Sequence, residues 1–139
     1  MKHLPRIENR IKEKLLIVTY TDIILDYIMR RFNIPRSEIS VLYEVSIRGR
    51  IRLDLVLVYN GTWFIVEFKI KPRLKQDLER IVRYVKAVND SIKPEKTIPI
   101  LAYIYQAPST NIVDIVKDVK PLIVLHLIQG TYRVLYESI

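Results

Sequence analysis

The 139-residue sequence contains no cysteine, only three glycines and two methionines, and a single tryptophan. Without thiols it cannot form a disulfide, a thiolate zinc site, an iron–sulfur cluster or a cysteine nucleophile. No apolar run approaches the roughly 20 residues of a membrane span, and the first residues are too charged for a signal peptide. We therefore expect a cytoplasmic protein with no membrane partner.

The chain also lacks an acidic surplus, because 23 Lys and Arg outnumber 15 Asp and Glu, for a net charge of +8. This balance favours a polyanionic partner, first nucleic acid and second an acidic membrane surface. Half of the residues are hydrophobic, and the length suits one core, so we predict a single domain over residues 1–139. Abundant Lys, Arg, Glu and Ile with scarce Cys, Met and Gln is typical of hyperthermophile proteins.

The hydrophobic periodicity predicts an α/β chain. Thr19 and Asp22 match a capping box, so a second helix, or a restart of the first, is expected near Tyr20. Asn33 and Pro35 end this region. The other predicted helices cover residues 4–17, 74–89 and, after a cap at Ser109 or Thr110, up to 119, and the predicted strands cover residues 41–47, 51–59, 62–70, 98–105, 122–128 and 132–136.

Residues 50–71 carry charged side chains inside two apolar, strand-like runs. Asn60-Gly61 separates the runs, and Asn-Gly between alternating hydrophobic residues predicts a hairpin with a two-residue type I′ turn. This turn places Asp54 directly opposite Glu67. The same register forms four apolar pairs on the other face: Leu57 with Phe64, Leu55 with Val66, Leu53 with Phe68, and Ile51 with Ile70.

Asp54 and Glu67 would thus lie side by side on neighbouring strands. Directly opposed residues have Cβ atoms about 4.5–5.5 Å apart, and like charges at that distance repel. A divalent cation with oxygen ligands would remove the repulsion. Lys69, on the same face, would meet an anion or a water bound beside it. The alternative is a solvated strand face whose acids and bases neutralise each other.

The preceding strand offers a third acid, Glu44. A three-residue turn at residues 48–50 places Glu44 beside Asp54 and keeps the apolar face of the strand buried, so we favour it. A two-residue turn satisfies turn preferences but puts Glu44 on the core face. The alternative role for Glu44 is that of a surface glutamate paired with Arg52 or Lys69.

The order helix, three-strand meander, helix and strand, with Asp54 on the second strand and Glu67-Phe68-Lys69 on the third, resembles the PD-(D/E)XK nuclease superfamily. That superfamily includes restriction endonucleases, archaeal Holliday junction resolvases and RecB-like nucleases. The resemblance implies a restriction-endonuclease-like αβββαβ core with a mixed central sheet flanked by helices. It also implies a Mg²⁺- or Mn²⁺-dependent DNA endonuclease, in some members selective for junctions or branched DNA, with roles in repair, recombination, defence or a viral cycle.

By position, the resemblance implies that Asp54 and Glu67 ligate the metal, with the main-chain carbonyl of Phe68 and the carboxylate of Glu44 as further ligands. Lys69 would orient the attacking water or help to deprotonate it. A surrounding group of basic and polar residues would hold DNA phosphates without base specificity, unless these charges serve only solubility or a solvated helix face. The group consists of Arg48, Arg50, Arg52, Lys71, Arg73, Lys75, Gln76 and Arg80.

The chain departs from the superfamily pattern in two respects near the acidic pair. Leu53 replaces the proline that gives the superfamily its name. Many members also carry a glutamate on the first helix, and here Glu13, Asp22 and Asp26 compete with Glu44 for that role.

RecB-like members carry a glutamine and a tyrosine four residues apart on the next helix, whereas Gln76 and Tyr84 are eight apart with Arg80 between them.

The competing hypothesis is a catalytically inactive nucleic-acid-binding protein on a nuclease-like fold. RNA is an alternative substrate, because nothing in the sequence reads a 2′-hydroxyl. A single small domain cannot easily make two coordinated cuts, so we expect a homodimer. His126, within an apolar run, is expected to be structural.

Overall fold

A computed structural model of the protein describes residues 6–109 and 111–139, with side chains from residue 14 onwards. Within these residues, six strands form one mixed sheet in sequence order. The third, fourth and fifth strands are parallel, and the other neighbouring strands are antiparallel. The predicted α/β class is consistent with this architecture. The elements are α1 (Arg6–Phe32), a 3₁₀ helix (Arg36–Glu38), β1 (Ser40–Ile47), β2 (Ile51–Tyr59), β3 (Thr62–Lys69), α2 (Leu74–Ser91), β4 (Lys96–Ile104), α3 (Ile112–Val116), β5 (Leu122–Ile128) and β6 (Thr131–Ser138).

The first helix is continuous, so the predicted restart near Tyr20 is wrong. Thr19 is an interior residue whose hydroxyl donates a 2.7 Å hydrogen bond to the carbonyl of Leu15. Threonine can bond in this way to the preceding turn, so a capping-box pattern does not require a new helix start. The helix ends where predicted, because Asn33 adopts a left-handed φ of 54°. The predicted start at residue 4 lies outside the described residues.

The sheet has one hydrophobic core on each face. The α1-side core contains the buried face of α1, and the α2-side core contains α2 and α3. Parallel strands β4 and β5 contribute to both cores, as expected for strands that are covered on both faces. The α1-side core includes Ile24, Ile28, Leu55, Leu57, Phe64, Val66, Ile100 and Leu125, and the α2-side core includes Ile47, Leu53, Val56, Ile65, Leu78, Ile81, Tyr103 and Val124.

The β2–β3 hairpin has the predicted turn, and it has the predicted register from the turn as far as Leu55 and Val66. Asn60 and Gly61 have φ angles of 46° and 81°, the two positive values that a type I′ turn requires. The ladder pairs Leu57 with Phe64 and Leu55 with Val66. The turn chemistry and the apolar alternation therefore selected the correct register.

The β1–β2 connection is the predicted three-residue turn. Val45 pairs with Leu53 and Ile47 with Ile51, and the amide of Arg50 donates to the carbonyl of Ile47 at 3.2 Å. Burial of the apolar face therefore outweighed the preference for a two-residue turn.

In the half of the β1–β2 hairpin nearest its turn, the apolar side chains face the α2 side of the sheet and not the α1 side. The predicted pairs between β2 and β3 at this end, Leu53 with Phe68 and Ile51 with Ile70, are therefore wrong. Leu53 belongs to the α2-side core, whereas Phe68 packs against the α1-side core. The change of face occurs at Glu44, which has a left-handed φ of 53° inside β1. A positive φ within a strand bends it in the manner of a β-bulge.

Several element boundaries also differ from prediction. The short helix α3 begins at Ile112 after Asn111, not after Ser109, and the alternative cap, Thr110, lies outside the described residues. Pro99 lies near the start of the central strand β4 and is tolerated there because the ladder between β4 and β5 begins at Ile100. No helix in the described part of the chain is long and apolar enough to cross a membrane.

A buried polar cluster fixes the start of α2 to the sheet. The hydroxyl of Tyr103 in β4 donates a 2.8 Å hydrogen bond to the carboxylate of Asp77, and the amide of Arg73 donates to the same oxygen at 3.1 Å. Asp77 and Tyr103 are both buried, and burial together with Asp77 raises the pKa of Tyr103. The carboxylate thus caps the first turn of α2 and sets the position of the helix over β4.

Replacing Asp77 should therefore destabilise the fold. Asp77→Ala leaves the Tyr103 hydroxyl and the Arg73 amide without their acceptor, which should lower the free energy of unfolding by about 2–3 kcal/mol. Urea unfolding measures this, with Asp90→Ala, an exposed site on the same helix, as the control expected to stay within about 0.5 kcal/mol of wild type. Equal stabilities of the two variants would contradict the role assigned to Asp77.

Candidate functional site

Asp54 of β2 and Glu67 of β3 line a cleft of about 460 Å³. The cleft lies near the carboxyl ends of the parallel strands β3 and β4, where ligands commonly bind in α/β sheets. Asp54 and Glu67 lie just beyond the last pair of the β2–β3 ladder, Leu55 with Val66, on the side away from the turn. The main-chain nitrogen of Phe68 lies 3.5 Å from Oδ2 of Asp54, a long hydrogen-bond distance. The two strands thus hold the predicted pair of acids together.

Glu67 is the more confined of the two acids, with only 5% of its surface exposed. Burial, followed by the charge of Asp54, raises its pKa from the usual 4.5 to about 8, against the smaller opposing effect of Lys69. Its Oε1 atom is buried and has no hydrogen-bond partner among the described residues. A buried carboxylate oxygen without a partner is costly, so the site favours a bound proton or a cation at Glu67.

The residues present fit a hard divalent cation. Mg²⁺ is commonly held by one or two carboxylates, with its other positions filled by waters and substrate phosphates. Asp54, Glu67 and the nearby main chain of Phe68 offer such oxygen ligands. Among the described residues, no group of three or more His, Cys, Asp or Glu side chains is placed to hold a metal. The acidic pair therefore suits a cation that keeps several positions open, not a closed structural site.

Basic residues line the same cleft. Lys69 and Lys71 come from β3 and the segment after it, Arg52 from β2, and Arg80 from α2. Lys69 is partly buried, whereas the other three are exposed. Acids that can hold a cation are thus bordered by cations that can bind an anion, the arrangement expected for a phosphate ester held at a metal site.

Tyr84 is a cleft residue that the sequence reasoning did not include in the site. It lies one helical turn after Arg80 on α2, and both side chains line the cleft. Burial raises the pKa of Tyr84, and the charges of Glu67 and Asp54 raise it further, while Arg80 and Arg83 lower it. The spacing of four between Arg80 and Tyr84 is the signal that could have identified the pair.

The wall of the cleft that α1 contributes was also missed. Leu16 and Ile17 of α1 line the cleft, as do Ile70 and Ile104 from the sheet side. No sequence pattern marks the two helix residues, because they resemble any other apolar positions of α1. Only the packing of α1 over the sheet brings them to the acids.

Glu44 lies close to Asp54, since both line a smaller neighbouring cavity. Its carboxylate forms ion pairs with Arg52 at 2.5 Å and Lys14 at 3.6 Å. The structure therefore shows Glu44 in its alternative role, that of a glutamate paired with Arg52, close to the acidic pair.

The other candidate acids, Asp22, Asp26 and Glu13, either lie away from the cleft or have side chains outside the described residues. Asp26 pairs with Arg30 at 3.1 Å near the end of α1, and Asp22 is an exposed residue that does not line the cleft. The side chain of Glu13 is outside the described residues. His126 is partly buried, and its Nε2 lies 3.1 Å from the carbonyl of Tyr105.

The remaining predicted phosphate-binding residues are exposed but do not line the cleft. Arg48 and Arg50 lie at the tip of the β1–β2 hairpin, while Arg73 and Lys75 lie at the start of α2. Gln76 faces a separate depression beside Val119 of the α3 region. These residues could contact only parts of a ligand that extend beyond the cleft.

Comparisons with known proteins add little. No known family model matches the sequence, and no curated protein matches it. Among solved structures, the chain is similar to a protein of unknown function from Silicibacter pomeroyi, with 10% sequence identity and a TM-score of 0.46. The similarity covers 79% of this chain, and the chain spans 63% of the length of that structure.

The raised pKa of Glu67 predicts how stability depends on pH. Because this pKa, about 8, lies above the usual 4.5, the folded state binds more protons than the unfolded state between these values. In metal-free buffer, the stability conferred at low pH should therefore be lost as the pH rises through this window, at up to about 1.4 kcal/mol per pH unit.

Glu67→Gln should lack this component, so its stability relative to wild type should increase steadily from about pH 5 to about pH 8. Urea unfolding with a chelator present measures the difference. Glu79→Gln, at an exposed site on α2, is the control and should follow the wild-type profile. Parallel profiles for wild type and Glu67→Gln would show that Glu67 has no raised pKa.

Proposed function

We propose that the protein is a metal-dependent DNA endonuclease of the PD-(D/E)XK kind, with a restriction-endonuclease-like core formed by α1 to β4. The main support is the pair of Asp54 and Glu67, in which a buried, unpartnered carboxylate oxygen adjoins a cleft lined by basic residues. A plain anion-binding protein has no use for two acids at the centre of its basic site, whereas a phosphodiester hydrolase that holds a cation needs them.

Asp54 and Glu67 would hold Mg²⁺ or Mn²⁺, together with the main-chain carbonyl of Phe68. Glu44 could add a ligand if it exchanged its ion pairs with Arg52 and Lys14 for the metal. When bound, such an ion supplies Lewis-acid polarisation of the phosphoryl oxygen and lowers the pKa of coordinated water.

The side chains of the cleft would bind and orient the substrate. Lys69, two residues after Glu67, would orient the attacking water and offset charge that develops on the phosphate. Arg52, Lys71 and Arg80 would bind the phosphates on either side of the cut. Tyr84 would donate a hydrogen bond from its hydroxyl to a phosphate oxygen, because its side chain lines the cleft beside Arg80. The apolar α1 wall would exclude water from this side.

The substrate would be an intracellular polynucleotide, met in the cytoplasm during repair, recombination, defence or a viral cycle. Two coordinated cuts in branched or duplex DNA need two sites, so we propose that the protein acts on such substrates as a homodimer.

Substituting the site residues tests the proposal. Asp54→Asn, Glu67→Gln and Lys69→Ala should each reduce Mg²⁺-dependent cleavage at least about 100-fold, because each removes a group that acts on the reacting phosphate. DNA binding should fall little, since the surrounding basic residues remain. Cleavage of single-stranded, duplex, flapped and four-way-junction DNA measures activity, and fluorescence anisotropy measures binding.

The matched controls are Glu79→Gln and Lys86→Ala, exposed positions on α2 that do not line the cleft. Both should cleave at close to the wild-type rate. Full activity in all three site variants would overturn the assignment of the site.

The second candidate is a non-catalytic nucleic-acid-binding protein on the same fold. It is favoured by the engagement of Glu44 with Arg52 and Lys14. It is also favoured because, of the described acidic residues, two line the cleft, Asp54 and Glu67. Such a protein would use the basic residues of the cleft to recognise the backbone of DNA or RNA.

Calorimetric titration with Mn²⁺ separates the two candidates. The nuclease should bind Mn²⁺ at the acidic pair, and Asp54→Asn or Glu67→Gln should weaken that binding at least about tenfold. Glu38→Gln, an exposed site in the 3₁₀ helix, should leave it unchanged. No metal binding by wild type, together with salt-sensitive DNA binding, would favour the binding protein.

A further inference from the structure

A second, smaller cavity adjoins the cleft, because Ile17 of α1 and Asp54 of β2 line both. It has a volume of about 220 Å³, and its other lining residues are Lys14, Val18, Tyr43 and Glu44. The surface that it exposes is almost entirely apolar. We refer to this cavity as the Tyr43 pocket.

The walls of the Tyr43 pocket leave large apolar groups open to solvent. Val18 is 53% exposed and Tyr43 is 44% exposed. Tyr43 lies on β1, the edge strand of the sheet, so no further described strand covers it. An exposed aromatic ring next to an aliphatic side chain, at the border of a charged cleft, is a surface suited to a flat apolar group.

The charges around the two cavities restrict the kind of ligand. The cleft presents Arg52, Lys69, Lys71 and Arg80, which attract an anion. The Tyr43 pocket begins at Asp54, within the same site, and offers an aromatic face. A ligand that fills both cavities would join a phosphate to a flat ring with apolar faces over a short distance, and a nucleotide has this construction.

We propose that the Tyr43 pocket receives an unpaired base of the DNA strand whose phosphate occupies the cleft, with the base stacked against Tyr43. This inference rests on the proposed function and adds the substrate class, which is single-stranded DNA or an unpaired segment of a branched structure. A base inside a duplex is stacked between its neighbours and is not available to the pocket, whereas an unpaired base stacks on aromatic side chains without sequence preference.

Binding measured without metal tests the pocket separately from cleavage. The probes are a fluorescent oligothymidylate of about eight nucleotides, an abasic strand of the same length, and a blunt duplex, each titrated in chelator. Tyr43→Ala should weaken binding of the oligothymidylate about tenfold, within the 5- to 150-fold range that loss of one base–aromatic contact produces. Binding of the abasic strand and the duplex should change less than about twofold, because neither presents an unpaired base to the pocket.

Two variants serve as controls. Tyr43→Phe keeps the ring and should bind like wild type. Leu42→Ala removes a side chain of similar exposure, 40%, from the other face of the same strand, and should have no effect on any probe. Thermal unfolding checks that each variant is folded.

Loss of affinity that is equal for all three probes, or no loss for the oligothymidylate, would overturn the proposal. So would a Tyr43→Ala variant that changes a dimer to a monomer in sedimentation without altering the base-dependent part of binding, because the occupant would then be a second copy of the chain. Base-dependent binding without metal-dependent cleavage would support the pocket and count against the nuclease, and the reverse result would do the opposite.

Discussion

Two carboxylates held side by side, one of them buried, are the constraint on which the rest of the structure depends. Asp54 and Glu67 repel each other when both are ionised, and Glu67 has lost its water without gaining a hydrogen bond at Oε1. A fold of this size has only a few kcal/mol of net stability, so such a pair is tolerated only if something binds there or the surrounding packing enforces it. The packing condition applies, because β3 contributes buried residues to both cores, and a bound cation would meet the other condition.

The helices on both faces of the sheet contribute residues to the site. The α1 layer provides the apolar wall at Ile17, whereas the α2 layer provides Arg80 and Tyr84. The orientation of α2 depends in turn on Asp77 and its hydrogen bond from Tyr103, two residues that do not contact the cleft. A change at the start of this helix would therefore be felt one and two turns later, at the residues that face the acids.

Local chemistry made part of this arrangement predictable. Asn60-Gly61 and the alternation around it identified the hairpin, its register and the meeting of Asp54 with Glu67, because these depend on neighbours in sequence. The continuity of α1 was missed at Thr19, whose hydroxyl can cap a new helix or bond to the preceding turn. The α1 wall and the change of face in the hairpin were missed because they arise from packing between distant elements, which no periodicity records. Tyr84 was missed although its spacing of four from Arg80 places the two side chains on one face of α2.

The left-handed backbone of Glu44 has a consequence for the residues that this position can accept. Glycine or asparagine can adopt such a φ at little cost, whereas a β-branched residue would have to flatten the strand. Flattening would alter the path of β1 where it runs beside Asp54 of β2. Tolerance at position 44 is therefore governed by the shape of the main chain before it is governed by charge, and a neutral glycine there would disturb the acidic pair less than a valine would.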